Sequence, residues 1–341
     1  MADRQMGGDS GRFRQEVKVS GFWFRILELG ELDKEEIRRR IIETGAVAVG
    51  FAMSADVDSR VMSQYKDWIG KGCHAGMDYL QRHVALKANL ESVLPNSATV
   101  ISVAFSYAPD RLRDSRLPQI ACYAYGDDYH DVLRHRLTPV VESLRQTLGG
   151  EWRICIDSAP VAERYWALRS GIGIRGMNGS VIVGDAGGYV FLAEIITTVP
   201  ISADEPSHGE CEKCGACVKA CPQNALQEDG SVDSRCCLNY LTIEHKGEWQ
   251  EGLAGHMQGE VAGNTLYGCD ICLRVCPHNI NRVPTRICEF EPRERIMRLT
   301  ADEAAVMTQE EFSTVFKGSP IKRAKLSGLR RNACNVLKQK G

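Results

Sequence analysis

Eight of the fourteen cysteines fall into two cassettes, Cys211-x-x-Cys214-x-x-Cys217-x-x-x-Cys221-Pro222 and, after a lead-in at Cys237, Cys269-x-x-Cys272-x-x-x-Cys276-Pro277. Nothing else in the chain constrains its fold as tightly. Three closely spaced thiolates can take three corners of a cubane 4Fe–4S cluster, whereas the turn before each proline points the fourth thiolate toward a neighbouring cluster. The spacing therefore predicts two clusters with exchanged ligands: Cys211, Cys214, Cys217 and Cys276 on one, Cys237, Cys269, Cys272 and Cys221 on the other. Leu238 to Gly268 separates the lead-in from the second cassette, and Cys236 competes with Cys237 for the first ligand position. Disulfides would need an oxidising compartment, and zinc ribbons do not call for two cysteine-proline endings around a shared interior.

A ferredoxin needs far fewer than 341 residues, and a chain that is 43% hydrophobic and 25% charged is not compositionally disordered. The roughly two hundred residues before Cys211 are where the user of the electrons is to be sought. No apolar run approaches the ~20 residues of a membrane span, and the first residues lack a hydrophobic signal core. Arg38-Arg39-Arg40 lies inside an amphipathic helical stretch rather than a twin-arginine leader. These features predict a cytoplasmic protein with no membrane contact, in which Cys73, Cys122, Cys155, Cys288 and Cys334 are packing thiols.

Four regions are expected. Residues 1–30 read as a loosely ordered extension. Residues 31–205 alternate helices and strands: helix Asp33 to Thr44, strand Ala46 to Ala52, strand Thr99 to Tyr107, helix Tyr129 to Leu148, strand Arg153 to Ile156, helix Ala159 to Ser170, then strands Val181–Val183 and Tyr189–Thr197. That order predicts an α/β (α+β) sheet domain. Residues 206–284 hold the two-cluster ferredoxin-like domain. Residues 285–341 form a short helical segment, with turns at Gly318–Pro320 and Gly328, that resembles a helical hairpin or single solenoid repeat. Residues 317 to 341 contain eight Lys or Arg and no Asp or Glu, leaving 34 basic against 44 acidic residues in the rest. Such polarity is either a solvated helix surface or the footprint of a polyphosphate partner such as RNA.

Gly171-Ile-Gly173-Ile-Arg-Gly176 matches a dinucleotide-binding fingerprint, but a helix precedes it and strands follow, so a helix C-cap turn is the better reading. Asp128-Tyr-His130 opens like a corrinoid D-x-H-x-x-G motif that lacks its glycine. Asp157 ends a strand just before Ser158-Ala159-Pro160, where serine would cap a helix and proline favour its first turn. A carboxylate there is either a helix-terminal anion or, when desolvated by a bulky apolar cofactor, a protonated general acid.

These residues resemble the epoxyqueuosine reductases, cobalamin- and iron–sulfur-dependent enzymes of tRNA queuosine maturation related to reductive dehalogenases. The resemblance spans about residues 35 to 335. Its carriers are MDYL from Met77, VISVAFSY, YAYGDDYHDVL from Tyr123, DSAPVAERYWALRSGIG from Asp157, GGYVFLAEIITT, CCLNYLTIE from Cys236, GCDICLRVCPHN from Gly268 and FKGSPIKRAKLSGLRRN from Phe316. It implies a corrinoid-binding N-terminal domain, cobalamin held base-off with no protein histidine on cobalt, a HEAT-like C-terminal hairpin and Cys237 rather than Cys236 as ligand. It also implies Asp157 as proton donor, Asp128 and His130 in the substrate cavity, and Arg164, Asn178, Ser180, Val181, Glu244 and Asp270 as corrinoid contacts.

The implied reaction is two-electron, two-proton reduction of an epoxide to an alkene with loss of water. Electrons pass from an external low-potential donor through the cluster of Cys211 to that of Cys237 and on to cobalt, in a monomer that binds tRNA. The chain departs from the family at Ile174-Arg175-Gly176-Met177, where a tryptophan and a lysine are usual; Arg175 would restore the charge from a neighbouring position. A corrinoid reductase of small molecules and a ferredoxin-type carrier are the rival readings, the second accounting for the cassettes alone.

Overall fold

The run Thr99–Ser106 is buried at every position. A strand covered on both faces has no solvent side to keep polar, so its sequence is continuous rather than alternating. The computed structural model describes residues 16–19, 22–25 and 31–340, apart from 251, 252 and 254. Its central sheet has four strands, β1 (Ala48–Met53), β2 (Thr99–Ser106), β3 (Trp152–Cys155) and β4 (Val190–Thr197), in the order β1-β2-β4-β3. Every pairing is antiparallel. The expected α+β class holds, with an antiparallel sheet, because alternation of elements does not fix strand direction.

One face of the sheet packs on α1 (Glu31–Ile42) and α2 (Tyr129–Leu148), through Ile37, Ile41, Leu133 and Leu137 against Phe51, Val103 and Phe191. Asp128 caps α2 by accepting the His130 N–H, and Gly149 ends it at φ 70°. The other face packs on Trp166 and Ala167 of α3 (Glu163–Arg169). Gly171, at φ 74°, turns the chain out of α3, as expected of a C-cap rather than a nucleotide loop. Gly173 sits so near the Ile182 carbonyl that a Cβ would stand 2.6 Å from it.

The expected helix from Ala159 is not formed. Asp157 takes φ 52°, the Ser158 N–H turns back to the Ile156 carbonyl at 2.5 Å, and α3 begins only at Glu163, so Ser158 and Pro160 cap nothing. The extension 1–30 lies mostly outside the described residues; within it Glu16–Val19 pairs antiparallel with Phe22–Arg25. Cys122 and Cys155 are buried packing thiols, whereas Cys288 and Cys334 are exposed.

In the cysteine-rich region α4 (Ala216–Ala220) and α5 (Ile271–Arg274) pack together, one from each cassette. The insertion between Cys237 and Cys269 has a structural use. Its strand Thr265–Tyr267 pairs in parallel with Gln119–Ile120 and so ties this region to the α/β region.

After a short helix at Glu294–Arg298 come α6 (Ala301–Val306), α7 (Gln309–Val315) and α8 (Lys325–Lys340), of which α6 and α7 are opened by capping boxes at Thr300 and Thr308. Gly328 lies within α8, not at a turn. Arg331 on this helix is 7% exposed; it donates to the carbonyls of Leu241, His245 and Gly247 and stacks on Trp249. It is therefore a structural clamp on the insertion, unavailable to a polyanion. Arg331→Ala should destabilise the protein by about 3 kcal/mol, since three carbonyl acceptors, one of them buried, lose a charged donor and Trp249 loses its stacking partner. Thermal denaturation beside Lys338→Ala, an exposed change expected to be near neutral, checks this.

Candidate functional site

The sheet and the cysteine-rich region enclose a cavity with two overlapping lobes of about 870 and 820 Å³, each near the upper end of the ~300–1,000 Å³ usual for small-molecule sites. The sequence-expected residues converge on it. His130, Asp157, Arg164 and Asn178 line both lobes; Asp128, Ser180, Val181, Glu244 and Asp270 line the second. Asn178 orders its own turn by accepting from the Ser180 hydroxyl at 2.6 Å. Asp270 is buried and accepts the Cys122 N–H at 2.5 Å, so it also braces the wall. Glu244 is paired with Arg323.

The thiols separate into two groups. Cys211, Cys214, Cys217 and Cys276 surround a small cavity of about 20 Å³, together with Met177 and His278. Cys221, Cys237, Cys269 and Cys272 face the first lobe of the large cavity. Cys236 lines neither, and its Sγ lies 3.6 Å from His256 Nε2. The donor sets fit cubane clusters: four thiols each, with backbone N–H groups of Met177 and Ala225 directed at Cys211 Sγ and Cys221 Sγ at 3.2 and 3.3 Å. Among the described residues no three His, Cys, Asp or Glu are gathered tightly enough for a single ion. The outer group, that of Cys211, borders the inner one, that of Cys237 on the large cavity, through Asn178, which touches both cavities and donates to the Cys272 carbonyl at 3.4 Å.

Across the cavity stands a chain of polar contacts. Tyr129 Oη donates to Asp157 Oδ2 at 2.6 Å, His130 Nε2 lies 3.4 Å from the same oxygen, and His130 Nδ1 is 2.8 Å from Asp128 Oδ1. Their placement follows from α2: the Asp128 cap sets its first turn, and Tyr129 stacks on Phe191 at 4.3 Å. The His130 hydrogen bond, working against burial and assisted by Tyr129, lowers the Asp157 carboxyl to about 2. Burial disfavours the imidazolium, yet the hydrogen bonds to Asp128 and Asp157 outweigh it and raise His130 to about 9.

The proton at neutral pH thus sits on His130, between two carboxylates. Asp157 is therefore ionised, because the adjacent cation outweighs desolvation. Because the folded protein holds this proton more tightly than the unfolded chain, the stabilisation is fully present below about 6.5 and is lost as pH rises through about 9. The melting temperatures of the parent and His130→Gln should therefore differ at neutral pH and converge above pH ~9; a constant gap would contradict the assignment.

Sequence reasoning missed Tyr129, Glu163, Lys87 and Arg323, all close to the Asp157 region. Glu163 Oε1 accepts the Asp157 N–H at 2.5 Å, and Arg323 comes from the tail. Arg175, by contrast, lines neither lobe: it is exposed, its strand partner is Val181, and its backbone pairs with Cys211, so it brings no charge to the cavity.

Comparison with known proteins agrees with this architecture. Residues 210–279 match a family model described as a 4Fe-4S double cluster binding domain, and residues 87–158 one described as "Epoxyqueuosine reductase QueG, DUF1730". An epoxyqueuosine reductase of Cyclobacterium marinum is 34% identical over 87% of this chain and 96% of its own. The chain belongs to the epoxyqueuosine reductase family. The Escherichia coli epoxyqueuosine reductase is likewise 34% identical, over 87% of this chain and 78% of its own. A crystal structure of epoxyqueuosine reductase with a tRNA-Tyr epoxyqueuosine-modified stem loop superposes with a TM-score of 0.80 at 26% identity, covering 91% of this chain and 82% of that one. Membership makes the protein an oxidoreductase with a mixed α/β fold and a double 4Fe–4S domain. No helix among the described residues is long and apolar enough to cross a membrane.

Proposed function

We propose that this protein reduces epoxyqueuosine to queuosine in tRNA. The observation that carries the reading is one cavity with four thiols of the inner group on one wall and Asp157, His130 and Asp128 on another. Cys211, Cys214, Cys217 and Cys276 hold the outer cluster; Cys237, Cys269, Cys272 and Cys221 hold the inner one. The outer set, with Cys214 exposed, receives electrons from an external low-potential donor.

The residues fit a corrinoid: the lobes are macrocycle-sized, with apolar walls at Val181, Ile271 and Leu238 and polar groups at Asn178, Ser180, Arg164, Glu244 and Asp270. Bound there base-off, cobalamin would supply the two-electron chemistry. The protein's own residues exclude water, orient the substrate and deliver protons at Asp157, whose partner His130 stores one. The domains run as 31–205 for corrinoid binding, 206–284 for the clusters and 285–341 for a HEAT-like basic hairpin, in a cytoplasmic monomer.

The tRNA reaches the cavity mouth where the tail supplies Lys322 and Arg323. Exposed Lys317, Lys322 and Lys325 are free to meet phosphates, unlike Arg331. Changing all three to Ala should weaken tRNA binding at low salt and flatten the log–log salt dependence by about 0.7–0.9 per lost phosphate contact. An unchanged slope would make the tail a solvated surface only. The function itself is tested by anaerobic incubation of cluster- and cobalamin-loaded protein with epoxyqueuosine-containing tRNA and a low-potential reductant. Queuosine in the digested tRNA is expected, and its absence with both cofactors verified would contradict the proposal.

A further inference from the structure

Arg293 stands just before the short helix Glu294–Arg298 and joins two segments far from it in sequence. Its own N–H donates to the Tyr125 carbonyl at 3.0 Å. Its guanidinium donates twice to Asp127 Oδ1, at 2.9 Å from Nε and 2.5 Å from Nη2, and reaches the tail carbonyls of Lys317 and Gly318 at 2.9 and 3.1 Å. The loop it holds is pressed on the same segment. A Cβ at Gly126 would stand 2.5 Å from the Glu289 carbonyl oxygen, and the Asp127 N–H donates to that carbonyl at 2.7 Å. The fork of donors on an arginine spans these three acceptors; a lysine ammonium cannot reach them all.

The Gly318 carbonyl is shared by both segments, because it also accepts the Asp128 N–H at 2.8 Å. On one side, Asp128 caps α2 and its Oδ1 lies 2.8 Å from His130 Nδ1, which gives the imidazolium the first of its two carboxylates. On the other, the turn at Gly318, with φ 63°, leads into Pro320, Lys322 and Arg323 on the wall of the second lobe. The Tyr267 hydroxyl donates to the Pro320 carbonyl at 2.7 Å and fixes the far end of that turn. The proton-holding residues and the tail therefore take their relative position from one carbonyl, and Arg293 fixes it.

We propose that Arg293 is a positioning residue for proton delivery, holding Asp128 against His130 through the Gly318 carbonyl and the Asp127 side chain. The inference rests on the epoxide-reducing function, in which the proton stored on His130 is delivered at Asp157. Arg293 lines neither lobe and acts only through these residues. The charged or titratable groups facing His130 are Asp128, Tyr129 and Asp157 in contact, Glu163 and Arg164 on α3, and Lys322 and Arg323 on the tail. A substitution at Arg293 leaves every one of them in the chain. Its two effects on His130 have opposite signs. Losing a nearby cation and unpairing Asp127 favour the imidazolium, whereas letting Asp128 drift from Nδ1 withdraws the hydrogen-bonded anion that stabilises it. A fall in the proton affinity of His130 therefore marks lost positioning and cannot come from the lost charge.

The experiment compares cluster- and cobalamin-loaded parent, Arg293→Gln and Arg293→Lys in turnover from about pH 6 to about pH 10, and takes the melting temperature of each with and without His130→Gln over the same range. In the parent, the alkaline fall in turnover and the convergence of the paired melting temperatures both report loss of the His130 proton. Arg293→Gln should move both to lower pH by about one unit. Its turnover near pH ~8 should drop on the order of 10-fold, with Arg293→Lys recovering part of both effects. A residue that only stabilises the fold would lower the melting temperature and leave both pH positions in place. That result, or a move to higher pH, would overturn the proposal. If the parent itself reduces no epoxyqueuosine, the functional reading fails, while the paired melting temperatures still decide whether Arg293 holds Asp128 on His130.

Discussion

Asp157→Asn should lower epoxide reduction by about 10²–10⁴-fold, the range of a lost general acid, with iron, sulfide and corrinoid at parental levels. Asparagine has nearly the same shape and still offers an oxygen to the Tyr129 hydroxyl, which stands 2.6 Å from Asp157 Oδ2. It cannot exchange a proton with His130, and it removes one of the two carboxylates that raise the histidine to about 9. The change therefore removes the donor and lowers the stored proton's affinity together. Asp157 lines the cavity with Tyr129 and His130 as its side-chain partners, not thiols, so the clusters should be unaffected. Iron analysis and the corrinoid absorption of the purified variant establish that the loss is chemical; a near-parental rate would return Asp157 to an ordinary loop carboxylate.

Cys237→Ala should abolish turnover and remove about half the iron of anaerobically reconstituted protein, whereas Cys236→Ala should retain both cluster signals and activity. The adjacent residues are separated by what they face: Cys237 lines the cavity beside Cys221, Cys269 and Cys272, while Cys236 turns toward His256. Among the described residues the inner site is the only thiol group on the large cavity, so without it electrons from the outer site have no nearby station. Iron loss in Cys236→Ala with iron retained in Cys237→Ala would invert the ligand assignment.

The two cassettes were readable because four-iron clusters demand thiols at short, fixed spacings, and helix Tyr129–Leu148 because its cap and periodicity are local. The polar chain at the site was only half readable. Asp157 and His130 could be named, but their contact joins residues 27 apart in sequence, and the direction of charge transfer between them depends on that distance rather than on either residue type. Glu163 was hidden because the Ser158-Ala159-Pro160 signal suggested an earlier helix start, whereas the positive φ of Asp157 delays it to Glu163 itself. Arg331 looked like one more cation in a basic tail; only the fold reveals the carbonyls that enclose it. The antiparallel sheet escaped for a similar reason, since strand direction is set by which neighbours pair and not by the order of elements.

The most direct test of the account is anaerobic turnover of epoxyqueuosine-containing tRNA by protein carrying both iron–sulfur sites, assayed with and without added cobalamin under one low-potential reductant. The account predicts queuosine in the digested tRNA only when the corrinoid is bound, and its loss in Asp157→Asn and Cys237→Ala. Equal conversion without corrinoid, or none with every cofactor in place, would contradict it.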